Sequence, residues 1–162
     1  MIRQKEKLLE DKAPEKPPYD VFLVEDNEDD RFFTQRVLET SPWVHGVYGF
    51  SNAMDFVAYM EEHPQYSQTG SPALIIIDLN MPRMDGLTLL GKIKSNSFLV
   101  KDAHTIVLTG ALSFDTFKQA MELDADGVFR KPMTSEKLES FFLQLQQEEE
   151  KEQGSVKPDF KN

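Results

Sequence analysis

The 162-residue chain has no cysteine. Disulfides, thiolate nucleophiles and Cys-ligated zinc or iron-sulfur centres are therefore excluded. Histidine is scarce, with three residues at positions 45, 63 and 104 whose spacing matches no metal motif, so a His-built metal site is not expected. Positive charge is in deficit: 18 Lys and Arg against 28 Asp and Glu leave a formal charge of -10, a field that repels phosphate backbones and anionic lipid. Nucleic acid and membrane surfaces are accordingly not expected as partners. No apolar run approaches the roughly 18 residues of a spanning helix, and the first residues, MIRQKEKLLEDKAPEKPP, hold no apolar stretch of signal-peptide length. A cytoplasmic protein is the expectation.

Composition divides the chain. Residues 1–18 hold five Lys and Arg, four Asp and Glu and three Pro, and read as a flexible arm. Residues 147–162 read as a flexible acidic tail into which a last helix could extend until Gly154 and Pro158 end it. The domain is expected over 19–146, where short β-rich runs alternate with amphipathic stretches. Strands are expected at Tyr19 to Val24, Val44 to Phe50, Ala73 to Asp78, His104 to Thr109 and Gly127 to Arg130. Helices are expected at Glu28 to Thr40, behind an acidic first turn, then after a Ser51 cap, at Gly86 to Ser95, at Ser113 to Leu123 and from Thr134 to Gln146. The run ALIIID is apolar throughout, as suits a strand covered on both faces. Five βα units with right-handed crossovers make an α/β fold, a doubly wound sheet of five parallel strands with helices on both faces. Helix Glu28 to Thr40 places Phe32, Phe33, Val37 and Leu38 at helical spacing, as an apolar side would be. The stripe of Phe114, Phe117, Ala120 and Met121 is expected in the core, and Trp43 is expected to pack at a helix end. Phe141, Phe142 and Leu145 exceed one buried stripe, leaving an exposed Phe as a contact candidate.

Ligands of such sheets sit at the carboxyl ends of the strands. Those ends carry Glu25 and Asp26, then Asp78, then Thr109, then Lys131 and Pro132. Three carboxylates converging there would repel one another unless a cation sat among them, and oxygen donors suit Mg2+, with Mn2+ as the alternative, over Zn2+. A lysine and a hydroxyl beside them suit a phosphoryl group.

These residues resemble the receiver domains of two-component response regulators, whose fold is flavodoxin-like. VFLVEDNEDD is similar to the acidic-pair motif, LIIIDLNMPRMDGL to the phosphoacceptor motif, IVLTG to the switch-threonine motif and FRKPM to the lysine-proline motif. Within the family, EDNEDD and the longer loop before the third strand resemble single-domain regulators, including those associated with phytochrome-type kinases. The resemblance implies that Asp78 takes a phosphoryl group from a histidine kinase or a phosphotransfer protein. It implies Mg2+ held by Glu25, Asp26, Asp78 and the backbone carbonyl of Asn80, with Lys131 and Thr109 contacting phosphoryl oxygens. It further implies a cis Lys131-Pro132 peptide, a backbone N–H from Gly110, and a loop shaped by Met81, Pro82 and Gly86. Output and any homodimer would use the face of the fourth helix, fifth strand and fifth helix. The rotating aromatic that receivers carry three residues before the lysine is here Val128, and coupling to that face is expected to be weak or to pass through the loop after Thr109 and the fourth helix. Asp124 stands where a helix-ending glycine is usual and would adopt a left-handed conformation.

The expected function is that of a stand-alone receiver, not an enzyme apart from self-catalysed phosphotransfer and autodephosphorylation. Two alternatives are a receiver-like interaction module that needs no phosphorylation, and a haloacid-dehalogenase-like phosphatase. The latter wants a second Asp two residues after the nucleophile, where this chain has Asn80.

Overall fold

In a computed structural model of the chain, residues 18–68, 72–95 and 103–154 are described. Strands β1 (Tyr19–Val24), β2 (Val44–Phe50), β3 (Ala73–Asp78), β4 (His104–Thr109) and β5 (Gly127–Arg130) form one parallel sheet in the order β2-β1-β3-β4-β5. Helices α1 (Glu28–Glu39), α2 (Ala53–Glu62), α3 (Gly86–Ser95) and α4 (Phe114–Glu122) lie in the four crossovers, α5 (Ser135–Gly154) follows β5, and a single helical turn at Gln65–Gln68 follows α2.

Alternation along the strands sorts their side chains to two cores. Phe22, Val24, Ile75, Ile77 and Val107 join Phe56 and Met60 of α2, Leu89, Leu90 and Ile93 of α3 and Ala120 of α4. Val21, Leu23, Leu74, Ile76, Ile106 and Leu108 join Leu38 of α1 and Leu138, Phe141, Phe142 and Leu145 of α5. Leu74 to Ile77 are wholly buried, each contributing about 1.5 to 3 kcal/mol through lost contact with water. Trp43 stacks flat on Phe142, with ring centroids 5.4 Å apart, as expected of a packing residue at a helix end.

Several expectations are corrected. The cap of α2 is Asn52, whose side chain accepts from the Asp55 amide, and not Ser51. Phe32 and Phe33 are 59% and 65% exposed, because the core-facing line of α1 runs through Thr34 and Leu38. In α4 only Ala120 is buried; Phe114 is 79% exposed, and Phe117 and Met121 also face out. Phe141 and Phe142, by contrast, are buried, so neither is a contact candidate. Helix α5, however, runs on to Gly154, the extension into the acidic tail that Gly154 was expected to limit. The arm at 1–17 and the remainder of the tail at 155–162 lie outside the described residues.

Candidate functional site

The register of the sheet builds the site. Val24 pairs with Ile77, which sets Glu25 beside Asp78, and the next pair, Asp78 with Leu108, leads to Thr109 one residue on. Thr109 pairs with Arg130, and the Lys131 amide donates to the Thr109 carbonyl at 2.8 Å. Strand β1 lies between β2 and β3, where the direction of winding reverses, and at such a reversal the loops diverge and leave a crevice at the carboxyl edge. Glu25, Asp26, Asp78, Thr109 and Lys131 all come to that edge.

Glu25 and Asp78 are 1% and 2% exposed, an unusual depth for two acids. One oxygen each of Glu25, Asp26 and Asp78 lie within 4.8 Å of one another. The Lys131 ammonium stands 2.7 Å from Glu25 Oε2, 3.0 Å from Asp30 Oδ2 and 3.2 Å from Asp78 Oδ1. Glu25 Oε1 accepts from the Asn27 amide at 3.1 Å, while the buried Oε2 has the charge of Lys131 nearby but no aligned hydrogen bond. Burial foremost, and the charge of Asp78 behind it, push the Glu25 carboxyl up to about 7 against the opposing pull of Lys131. Burial alone would lower Lys131, but Glu25 and Asp30 hold its ammonium above the usual lysine range. A buried carboxylate oxygen whose one close partner is the Lys131 ammonium at 2.7 Å, in a cluster of hard oxygen donors containing neither sulfur nor imidazole, fits a small divalent cation. Asn80, whose carbonyl is the expected additional ligand, is exposed two residues beyond Asp78, its amide 3.4 Å from Asp78 Oδ1.

Thr109 is buried at the edge, but its hydroxyl is turned to its own loop. It donates to the Ala111 carbonyl and accepts from the Ala111 amide, both at 3.2 Å. Gly110 is exposed, and a Cβ there would meet nothing within 4 Å, so packing does not demand glycine. Gly86 is different: a Cβ would strike the Asp78 carbonyl oxygen and lie 2.8 Å from Leu79 Cα. The amino end of α3 thus presses on the backbone that carries Asp78. The Lys131-Pro132 peptide is cis and Asp124 has φ 59°, both as expected. Val128 packs on the core beneath α3 and α4, whereas Phe129 packs on the opposite core, 6.2 Å edge-on to Phe141.

Two features escaped sequence reasoning. Arg83, in the loop after Asp78, has φ 68°, a left-handed conformation that an Asn or Gly there would have signalled. Asp30 had been one of several acids in a helix's first turn, yet its carboxylate reaches Lys131.

Comparison with known proteins places these features in context. The family model described as response regulator receiver domain matches residues 21–142. Response regulator Rcp1 of Synechocystis sp. is 32% identical over 130 residues, which cover 80% of this chain and 86% of that protein. The crystal structure of the phosphorylated cyanobacterial phytochrome response regulator RcpA is 30% identical with a TM-score of 0.61, covering 76% of this chain and 88% of that one. The Mn2+-bound form of response regulator Rcp1 is 30% identical with a TM-score of 0.59 and the same coverage.

Proposed function

Because the chain belongs to the response regulator receiver family, we propose that Asp78 is its phosphoacceptor and that it signals by phosphorylation-dependent protein binding. The observation that carries this reading is the placement of Asp78, buried at the end of the central strand with Lys131 3.2 Å away and the Glu25 and Asp26 carboxylates alongside. Receiver domains are phosphorylated by histidine kinases or phosphotransfer proteins. An oxygen of Asp78 attacks the phosphorus of a phosphohistidine, the P–O bond forms as the P–N bond breaks, and the imidazole leaves. Such transfer depends on positioning and electrostatics more than on covalent assistance. Lys131 neutralises one phosphoryl oxygen. Thr109 exchanges its Ala111 partner for another, which draws the loop after β4 toward the site. Water later attacks the phosphorus of the acyl phosphate, the P–O bond to Asp78 breaks, and inorganic phosphate leaves as the carboxylate is restored; the protein is otherwise not an enzyme.

Glu25, Asp26 and Asp78, with the carbonyl of Asn80, are the residues that would hold Mg2+, or Mn2+ in its place. When bound, the ion neutralises charge on the attacking carboxylate and on the phosphoryl oxygens. The Mn2+-bound Rcp1 structure supports a cation of this type. Output to the face of α4, β5 and α5 runs by way of the loop after Thr109 and α4, where exposed Phe114, Phe117 and Met121 offer apolar area to a downstream protein or a second copy. None of the helices among the described residues is long and apolar enough to cross a membrane, consistent with a cytoplasmic regulator that meets a kinase in solution.

Intact-mass analysis after incubation with acetyl phosphate and Mg2+ tests the reading. One phosphoryl adduct is expected on the wild type and none on Asp78→Asn. An undiminished adduct in that variant would place the acceptor elsewhere, and continuous turnover of a phosphate ester would point to a phosphatase.

A further inference from the structure

The three carboxylates around Lys131 are not equivalent. Glu25 and Asp78 are buried members of the acidic cluster. Asp30 comes from the first turn of α1, its side chain is 48% exposed, and it lies outside that cluster. It nevertheless makes a well-formed hydrogen bond with the lysine, Nζ donating to Oδ2 at 3.0 Å, across 101 positions of sequence. The 3.2 Å approach to Asp78, by contrast, is a contact between opposite charges only. Asp30, Phe33, Thr34, Lys131, Pro132 and Met133 line an open cleft of about 320 Å3, so the bond is reached from solvent.

An ammonium has three N–H donors, and one committed to Asp30 is not available to a phosphoryl oxygen. Building on the reading of Asp78 as phosphoacceptor, we propose that Asp30 is a positioning residue that holds Lys131 in the resting protein and that an anion on Asp78 must displace. It acts through the lysine and touches no reacting atom. The exposure of Asp30 makes the bond weak enough to exchange, and its loss frees one N–H of an ammonium that already stands 2.7 Å from Glu25 and 3.2 Å from Asp78. Asp30 therefore opposes the engaged state.

Beryllofluoride titration of the full chain in Mg2+ tests this, with Asp30→Asn, Asp30→Ala, Asp30→Glu and, as a control for the general field, Glu28→Gln. Glu28 is exposed on the same helical turn and is not an ion-pair partner of Lys131. Apparent affinity is expected to rise about threefold in Asp30→Asn and about fivefold in Asp30→Ala, sizes suited to a part-exposed charged pair. Asp30→Glu should fall back toward wild type, and Glu28→Gln should change little. In metal-free protein without any anion, the Lys131 15Nζ resonance should show at least about twofold faster proton exchange in Asp30→Ala, because a donor released from its acceptor is open to solvent. Unchanged or weaker binding in the Asp30 variants, an equal gain in Glu28→Gln, or an unmoved Lys131 resonance would overturn the proposal. If beryllofluoride binds Asp78→Asn as well as wild type, the reading of Asp78 fails instead. If binding requires Asp78 but ignores Asp30, only the present inference fails.

Discussion

The two ends of the sheet treat their acids in opposite ways, one partly exposed and the other buried. At the amino edge, Asp126 Oδ2 accepts from the Thr105 amide at 2.7 Å and the Thr105 hydroxyl at 3.2 Å, with Lys94 Nζ at 3.4 Å and His104 Nδ1 3.6 Å from Oδ1. Burial works to raise this carboxyl, but these donors outweigh it and bring it down to about 2. At the carboxyl edge, burial is again the largest influence on Glu25, yet the single ammonium that opposes it, Lys131 at 2.7 Å, is shared with Asp30 and Asp78, Asp78 crowds Glu25, and the carboxyl rises to about 7. The same fold satisfies one acid and frustrates another. Where donors are aimed at the charge, the acid stabilises the structure; where charges are packed short of donors, the acid awaits a ligand.

If that contrast is right, breaking the carboxyl edge should cost function and leave the fold intact. The largest effect is expected for Asp26→Ala, which should lower divalent-ion affinity by about 100-fold and abolish labelling by acetyl phosphate. Its melting temperature should equal or exceed that of wild type, since one repelling carboxylate has gone, and calorimetry with phosphoryl labelling would show both. Gly86→Ala comes next, because the added methyl has to displace the Asp78 backbone. Denaturant unfolding should show a loss of about 1 to 3 kcal/mol together with weakened labelling.

At the amino edge the reverse holds. Asp126→Asn should destabilise the protein at pH 7 by about 1 kcal/mol after allowance for solvent screening, with labelling unchanged. The sign follows from a folded-state pKa below the unfolded one: Asp126 stabilises above the unfolded value near pH 4 and loses that contribution as pH falls toward 2, where wild type and variant should converge. The smallest effect concerns the switch. Val128 is β-branched and packed on the core beneath α4, so hydrogen exchange on adding beryllofluoride and Mg2+ should change at Gly110 to Thr116 and little at Gly127 to Arg130. A pronounced change at Val128 and α5 would show a route through β5.

The strands were legible because each is an apolar or β-rich run closed by a polar residue, and in a parallel sheet those closing residues necessarily share an edge. The convergence of Glu25, Asp26, Asp78, Thr109 and Lys131 was therefore readable before any coordinates. What a helical stripe conceals is whether anything covers it. The aromatic stripes of α4 and α5 look alike in sequence, but Phe142 has Tyr19 at 4.9 Å and Trp43 stacked on it, whereas Phe114 has solvent. The role of Asp30 was hidden for a related reason: three consecutive acids suit a helix's amino end equally, and only the path of the turn after β5 singles out the one that meets Lys131. Nor does anything in an arginine announce the left-handed backbone at position 83.

The central claim, that the carboxyl-edge acids are held in excess of their donors until a cation arrives, is tested most directly by the melting temperature as a function of Mg2+ and pH. A folded-state pKa raised above the unfolded one makes the Glu25 contribution to stability fully present below about pH 4.5, and it is lost as pH rises through about 7. Without Mg2+, stability should therefore decline over that window, a decline absent in Glu25→Gln. Added Mg2+ should restore it, more strongly at pH 8 than at pH 6, since the ion binds the deprotonated acid and stabilises the folded state by mass action. A melting temperature indifferent to Mg2+ at pH 8, or a Mg2+ response that survives in Asp26→Ala, would contradict the account.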